Sequence, residues 1–89
     1  MAPVILIIGE PMIPFAGLDM LINICRYAAE NSKVPVAVTL DHGKKMENIH
    51  RCIKFGVSVM FDGSHYPYDE NVKLTRDVVE KGHKMGLSV

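Results

Sequence analysis

Three times this sequence runs from a short apolar segment rich in β-branched residues, through a polar loop, into a helical pattern, and that alternation limits the fold more than any other feature. The apolar segments are Val4 to Ile8, Val34 to Leu40 and Val57 to Phe61. Each is apolar at consecutive positions, the pattern of strands covered on both faces, and each leads into an amphipathic helix. The chain is therefore expected to be α/β, with a parallel sheet and right-handed crossovers. In such sheets, open or closed, ligands gather at the carboxyl ends of the strands.

The helical patterns carry their own signals. From about Gly17 to Asn31 the stripe Leu18, Leu21, Ile22, Cys25, Ala28 and Ala29 has the three-four spacing of one buried face. A second helix carries Met46, Ile49, Cys52 and Ile53. A third bears Val72, Thr75, Val78 and Val79, with Asp69 expected as its N-cap and Gly86 as its end. Leu87-Ser88-Val89 reads as the opening of a fourth strand. With 89 residues the chain is one small domain at most, whose core stabilises a fold only marginally.

Composition excludes several function classes. Ten basic and ten acidic side chains leave no net charge, so no field is present to steer a nucleic acid or an anionic membrane surface. The longest apolar run is far short of the roughly 18–20 residues that span a bilayer. The start Met-Ala-Pro-Val lacks the flank and cleavage site of a secretory signal, so the expected location is cytoplasmic. Cys25 and Cys52 have no metal-type spacing and are expected to be buried free thiols.

Three polar clusters fall at the carboxyl ends of the predicted strands: Gly9-Glu10, Asp41-His42-Gly43 and Asp62-Gly63-Ser64-His65. His42 suits a metal ligand, a general base or a loop histidine bonded to backbone. One ligand is not a site, and no H-x-x-x-H or C-x-x-C pair supplies the rest locally. Asp41 suits a general acid or base, a carboxylate behind a metal ligand, or the cap of the following helix, although that helix begins nearer Met46. Asp62 repeats the strand-end acid one unit later and could hold a cation, orient a neighbour or shape an Asp-Gly turn. Lys44 and Lys45 read as solvated, Glu10 with Pro11 and Pro14 as shaping a long loop, and His50 and His83 as surface residues.

The stretch Val-Pro-Val-Ala-Val-Thr-Leu-Asp-His-Gly, followed about twenty residues later by Val-Ser-Val-Met-Phe-Asp-Gly-Ser-His-Tyr-Pro-Tyr-Asp-Glu-Asn, resembles the class II, zinc-dependent fructose-bisphosphate and tagatose-bisphosphate aldolases. Pro3-Val-Ile-Leu, Phe15-Ala-Gly-Leu and the helix through Asn71, Leu74, Thr75, Val78, Val79 and Glu80 fit the same family. The resemblance implies a TIM barrel, of which about strands 2 to 5 would be present, so that residues 1–89 would be a single internal piece of the barrel. It implies that His42 is a zinc ligand and that Asp41 exchanges a proton with the aldehyde oxygen. Asp62 would lie behind the metal ligand or at an alternative cation position. The implied substrate is a sugar bisphosphate with a dihydroxyacetone phosphate moiety, the implied cofactor Zn2+, and the implied parent protein a homo-oligomer.

Departures from the family pattern bear on what the chain can do alone. The family's two further zinc histidines, its later acidic residue and its phosphate-binding loops have no counterpart within residues 1–89, and His50, His65 and His83 do not match them. The segment Phe55-Gly56-Val57-Ser58 is one residue shorter than the family spacing, with the adjustment expected in the loop. Gly9-Glu10-Pro11-Met12 also differs from the usual loop. The rival expectation is a non-enzymatic partial-barrel module that binds a phosphorylated ligand or a partner chain. A flavodoxin-like domain is disfavoured, because no glycine-rich phosphate loop follows the first strand.

Overall fold

Parallel pairing organises the computed structural model, which describes residues 2–89. Strand β1 (Val4–Gly9) pairs with β2 (Val36–Gly43), and β2 pairs with β3 (Ser58–Phe61), giving a three-stranded sheet in the order β1-β2-β3. Each crossover contains a helix: α2 (Leu18–Glu30) after β1 and α3 (Met46–Lys54) after β2, while α4 (Tyr68–Lys84) follows β3. The long loop expected around Pro11 and Pro14 is itself helical. A 3-10 turn (Glu10–Met12) runs into the four-residue helix α1 (Ile13–Ala16), each with proline in its opening positions, where the missing N–H has no intrahelical partner to lose.

Residues of alternate pleat parity meet different surroundings. Ile8, Leu40 and Val59 occupy matched positions on neighbouring strands and pack with Leu18 and Ile22 of α2, Ile49, Cys52 and Ile53 of α3, and Val78 of α4 in one buried cluster. The next residues along the strands point the other way. Ile5 and Ile7 are 65% and 60% exposed, and Met60 is also exposed. The expectation of strands covered on both faces thus holds on the helix side alone. Helices α2, α3 and α4 all contribute to one face and leave an apolar surface open on the other.

The helix ends follow backbone chemistry. At the end of α3 the Gly56 N–H donates to Ile53 O and the Val57 N–H to Cys52 O; at the end of α4 the Gly86 N–H donates to His83 O and the Leu87 N–H to Gly82 O. Both are Schellman motifs, with glycine at φ 76° and 72° where a side chain would be strained. The Phe55–Ser58 segment forms a tight turn, and β3 pairs with Leu40 opposite Val59.

Four expectations need correction. Strand β2 runs on to Gly43, so Asp41 and His42 lie in the strand and not in a loop. Helix α4 starts at Tyr68 after Pro67, so Asp69 sits in its first turn, where its charge meets the helix dipole without capping. Leu87–Val89 is not a strand; its link to the sheet is one backbone hydrogen bond from Val59 N to Ser88 O at 3.4 Å. Cys52 is buried as expected, but Cys25 is only half-buried, because it lies at the flank of the α2 stripe.

Candidate active site

The site begins with an irregularity in the sheet. Between the pairs Leu40 with Val59 and Gly43 with Phe61, β2 advances three residues while β3 advances two. The extra residue makes a β-bulge, which kinks the strand and re-aims its side chains. Within it His42 has φ 48°, the one positive φ outside glycine among the described residues. A left-handed conformation costs a residue with a side chain about 1–2 kcal/mol, and such strain persists where neighbouring structure enforces it.

That structure is visible on both sides of His42. Asp41 is paired with Gly9 of β1, and the Gly43 carbonyl accepts a hydrogen bond of 2.9 Å from the Asp62 N–H. Gly43 is buried, and a Cβ there would lie 2.6 Å from Leu40 Cδ2 and 2.7 Å from Ile49 Cδ1. Only glycine lets the backbone approach the core this closely. Gly63 is similarly confined, since a Cβ would overlap the Asn71 carboxamide.

The bulge brings His42 to Asp62. Nδ1 of His42 lies 3.0 Å from Asp62 Oδ2, while Asp62 Oδ1 accepts from the Ser64 hydroxyl at 2.6 Å and the Ser64 N–H at 3.1 Å. The Ser64 hydroxyl, then His42, then the Ser64 amide hold the Asp62 carboxyl well below the usual carboxylate range, against the opposing effect of partial burial. An ionised carboxylate can only accept, so Nδ1 carries the hydrogen, and in the neutral ring the lone pair is then on Nε2. Nε2 is 4.0 Å from Asp41 Oδ1, too far for a hydrogen bond, and the imidazole is 58% exposed. A donor nitrogen thus faces outward from the strand ends beside a solvent-accessible carboxylate.

The structure therefore brings together Asp41, His42 and Asp62, with Asp62 on one ring nitrogen and Asp41 near the other. It does not gather the remaining histidines there. His65 packs on the Tyr66 ring with centroids 4.2 Å apart, His50 accepts from Lys81 Nζ at 3.3 Å, and His83 is exposed near the end of α4. Among the described residues no group of three or more His, Cys, Asp or Glu could hold a metal ion. As a test of zinc, the donor set fits one ligand position, an imidazole whose second nitrogen is held by a carboxylate, and not a complete site.

Glu10 is the residue that sequence reasoning missed. Its carboxylate accepts from the Lys44 N–H at 3.1 Å to each oxygen, from the Lys45 N–H at 3.2 Å and from Asn48 Nδ2 at 3.3 Å. Helix α3 opens at Lys45 with no side-chain cap of its own. The carboxylate of Glu10, 34 residues before the first of these amides, accepts from the N-cap amide of Lys45, from the amide before it and from the Asn48 side chain in the first turn, and so ties the helix entry to β1. The available signal was the pair Lys44-Lys45 where a Ser, Thr, Asp or Asn cap is expected. A helix entry without a local acceptor needs a distant one.

Comparison with known proteins decides the family. A sequence description of the family "Fructose-bisphosphate aldolase class-II" matches residues 1–89, the whole chain. The chain belongs to that family. It is 38% identical over 90 residues to a fructose-bisphosphate aldolase of Giardia intestinalis, covering 99% of this chain and 28% of the relative. It is 42% identical over 76 residues to the D-tagatose-1,6-bisphosphate aldolase subunit GatY of Klebsiella oxytoca, covering 84% and 27%. The crystal structure of the YdjI aldolase from Escherichia coli K12 superposes with a TM-score of 0.85 at 31% identity, over 97% of this chain and 33% of that one. This aldolase-family chain thus spans about three tenths of the length of the curated relatives it matches.

Proposed function

We propose that this chain is the portion of a zinc-dependent ketose-bisphosphate aldolase that supplies a proton-transfer acid and the first metal ligand. The observation that carries the reading is the left-handed bulge at His42, where Asp62 holds Nδ1 and leaves Nε2 free beside Asp41. Sequential strands with every crossover helix on one face support an arc of a closed (β/α)8 barrel, whose interior would cover Ile5, Ile7 and Met60. Residues 1–89 are then one internal segment of that barrel, about its second to fourth units.

His42 would contribute one ligand to the zinc ion, and the remaining ligands would come from outside this segment. When bound, zinc supplies a Lewis acid that polarises a substrate carbonyl and stabilises the negative charge left when the carbon-carbon bond breaks. Asp62 fixes the tautomer and ring orientation of His42 and raises its basicity as a ligand. In the cleavage direction Asp41 takes the proton from the hydroxyl that becomes the aldehyde oxygen; in the condensation direction it returns that proton. The substrate is a fructose- or tagatose-type bisphosphate, cleaved to dihydroxyacetone phosphate and an aldehyde phosphate. The full-length enzyme would be a cytoplasmic homo-oligomer.

In the full-length protein, His42→Ala is expected to abolish both zinc binding and cleavage. Stabilisation by a sugar phosphate that is indifferent to zinc and to His42 would instead support the phosphate-binding module and refute the aldolase. The 89-residue chain alone is expected to show no turnover with zinc added, and robust cleavage by it would refute the division of the site.

A further inference from the structure

Glu10 leaves β1 next to Gly9, the residue paired with Asp41, yet its carboxylate binds residues on the far side of the bulge. The strained His42 is thereby bracketed. Before it, Asp41 is held through the pairing with Gly9; after it, the Lys44 and Lys45 amides are held by Glu10, and Asn48, the one buried polar residue among those described, donates to the same carboxylate. A positive φ at a residue with a side chain lasts only where both flanks are fixed. No residue of the bulge itself anchors the downstream flank at Lys44 and Lys45.

We propose that Glu10 is a positioning residue for the metal ligand: by clamping the Lys44 and Lys45 amides and the Asn48 carboxamide, it sets the direction in which His42 presents Nε2. The inference rests on the reading of His42 as a ligand. The choice of a carboxylate follows from the donors, since three N–H groups converge and no acceptor with fewer lone pairs meets them all. An amide in its place turns one acceptor into a donor facing donors. Aspartate keeps the charge and withdraws it by one methylene.

The test compares Glu10→Gln and Glu10→Asp with Lys54→Gly in the full-length protein; Lys54→Gly weakens α3 at its other end and leaves the clamp intact. Zinc affinity is measured by competition with a chromophoric chelator, and amide exchange is followed at Lys44 and Lys45. Both Glu10 variants are expected to exchange those amides faster and to bind zinc about 10–100-fold more weakly, the range for residues that orient a metal ligand. Lys54→Gly should lower stability and leave zinc affinity within twofold. In the Glu10 variants kcat should fall while KM for the sugar bisphosphate changes little. Faster exchange with unchanged zinc affinity would overturn the inference and leave Glu10 a helix clamp. If Glu10→Gln does not fold, Glu10→Asp is read by the same criteria. His42→Ala separates the two layers: unchanged zinc affinity there would overturn the ligand assignment itself.

Discussion

Gly43→Ala joins the core to the site through a single methyl group. That methyl would sit 2.6 Å from Leu40 Cδ2, 2.7 Å from Ile49 Cδ1 and 3.4 Å from Ile49 Cγ1, against an ordinary carbon-carbon separation of about 3.5–4.0 Å. The obstructing atoms are the far ends of side chains, which in an open environment would swing aside. Leu40 and Ile49 are fully buried, so they have no vacant space to enter. Overpacking of this kind costs about 1–3 kcal/mol. For a domain of this size each kcal/mol lowers Tm by about 4–8 °C. The backbone would relieve the overlap by moving Gly43 away from the core, which pulls on its carbonyl and on the Asp62 N–H bonded to it at 2.9 Å. The variant should therefore lose zinc affinity as well as stability. Gly9→Ala is the matched control: its φ is −84°, and a Cβ there finds nothing nearer than Pro11 Cδ at 4.0 Å, so a change within about 0.5 kcal/mol is expected. Urea denaturation of the two variants, paired with zinc titration of the same variants in the full-length protein, checks both parts. A Gly43→Ala protein as stable as Gly9→Ala would refute the packing argument, and full zinc affinity would refute the link to Asp62.

Two further outcomes follow from titratable groups. Because Asp62 is held ionised below its unfolded value of about 3.9, its contribution to stability is complete above that pH and is lost as pH falls through the folded value. The stability difference between wild type and Asp62→Asn should therefore narrow below about pH 4; a difference unchanged from pH 7 to pH 2 would refute the bonding described. The Cys52 thiol is pushed up to about 11, chiefly by burial, with Arg51 opposing and Glu10 adding to the rise. At pH 8 iodoacetamide should alkylate half-buried Cys25 well before Cys52, with Cys52 reacting only on unfolding, and equal rates in the native protein would contradict that packing.

How much could be read beforehand differs by the range of the interaction. The strands and helices were legible because runs such as Val36–Leu40 and stripes such as Leu18, Ile22 and Cys25 carry their period locally. Asp41 and His42 stood out because polar groups at the end of an apolar strand require partners. The bulge was not legible, since a left-handed histidine leaves no composition signal and the three-for-two register is a property of two strands together. Asp69 misled because a good capping residue was present while Pro67 and Tyr68 opened the helix earlier. Glu10 was hidden for the opposite reason: its partners lie 34, 35 and 38 positions away, beyond any local pattern.

The three-for-two step in β2 gives the strand one residue more than its neighbour requires. Delete His42, and Leu40 and Gly43 would stand two apart opposite Val59 and Phe61, an unbroken ladder with no left-handed residue. The sheet is thus built to be whole without the residue proposed to meet the metal. Transplanting this chemistry to another parallel sheet means lengthening one strand by a single position and anchoring both flanks, while the partner strand keeps its length.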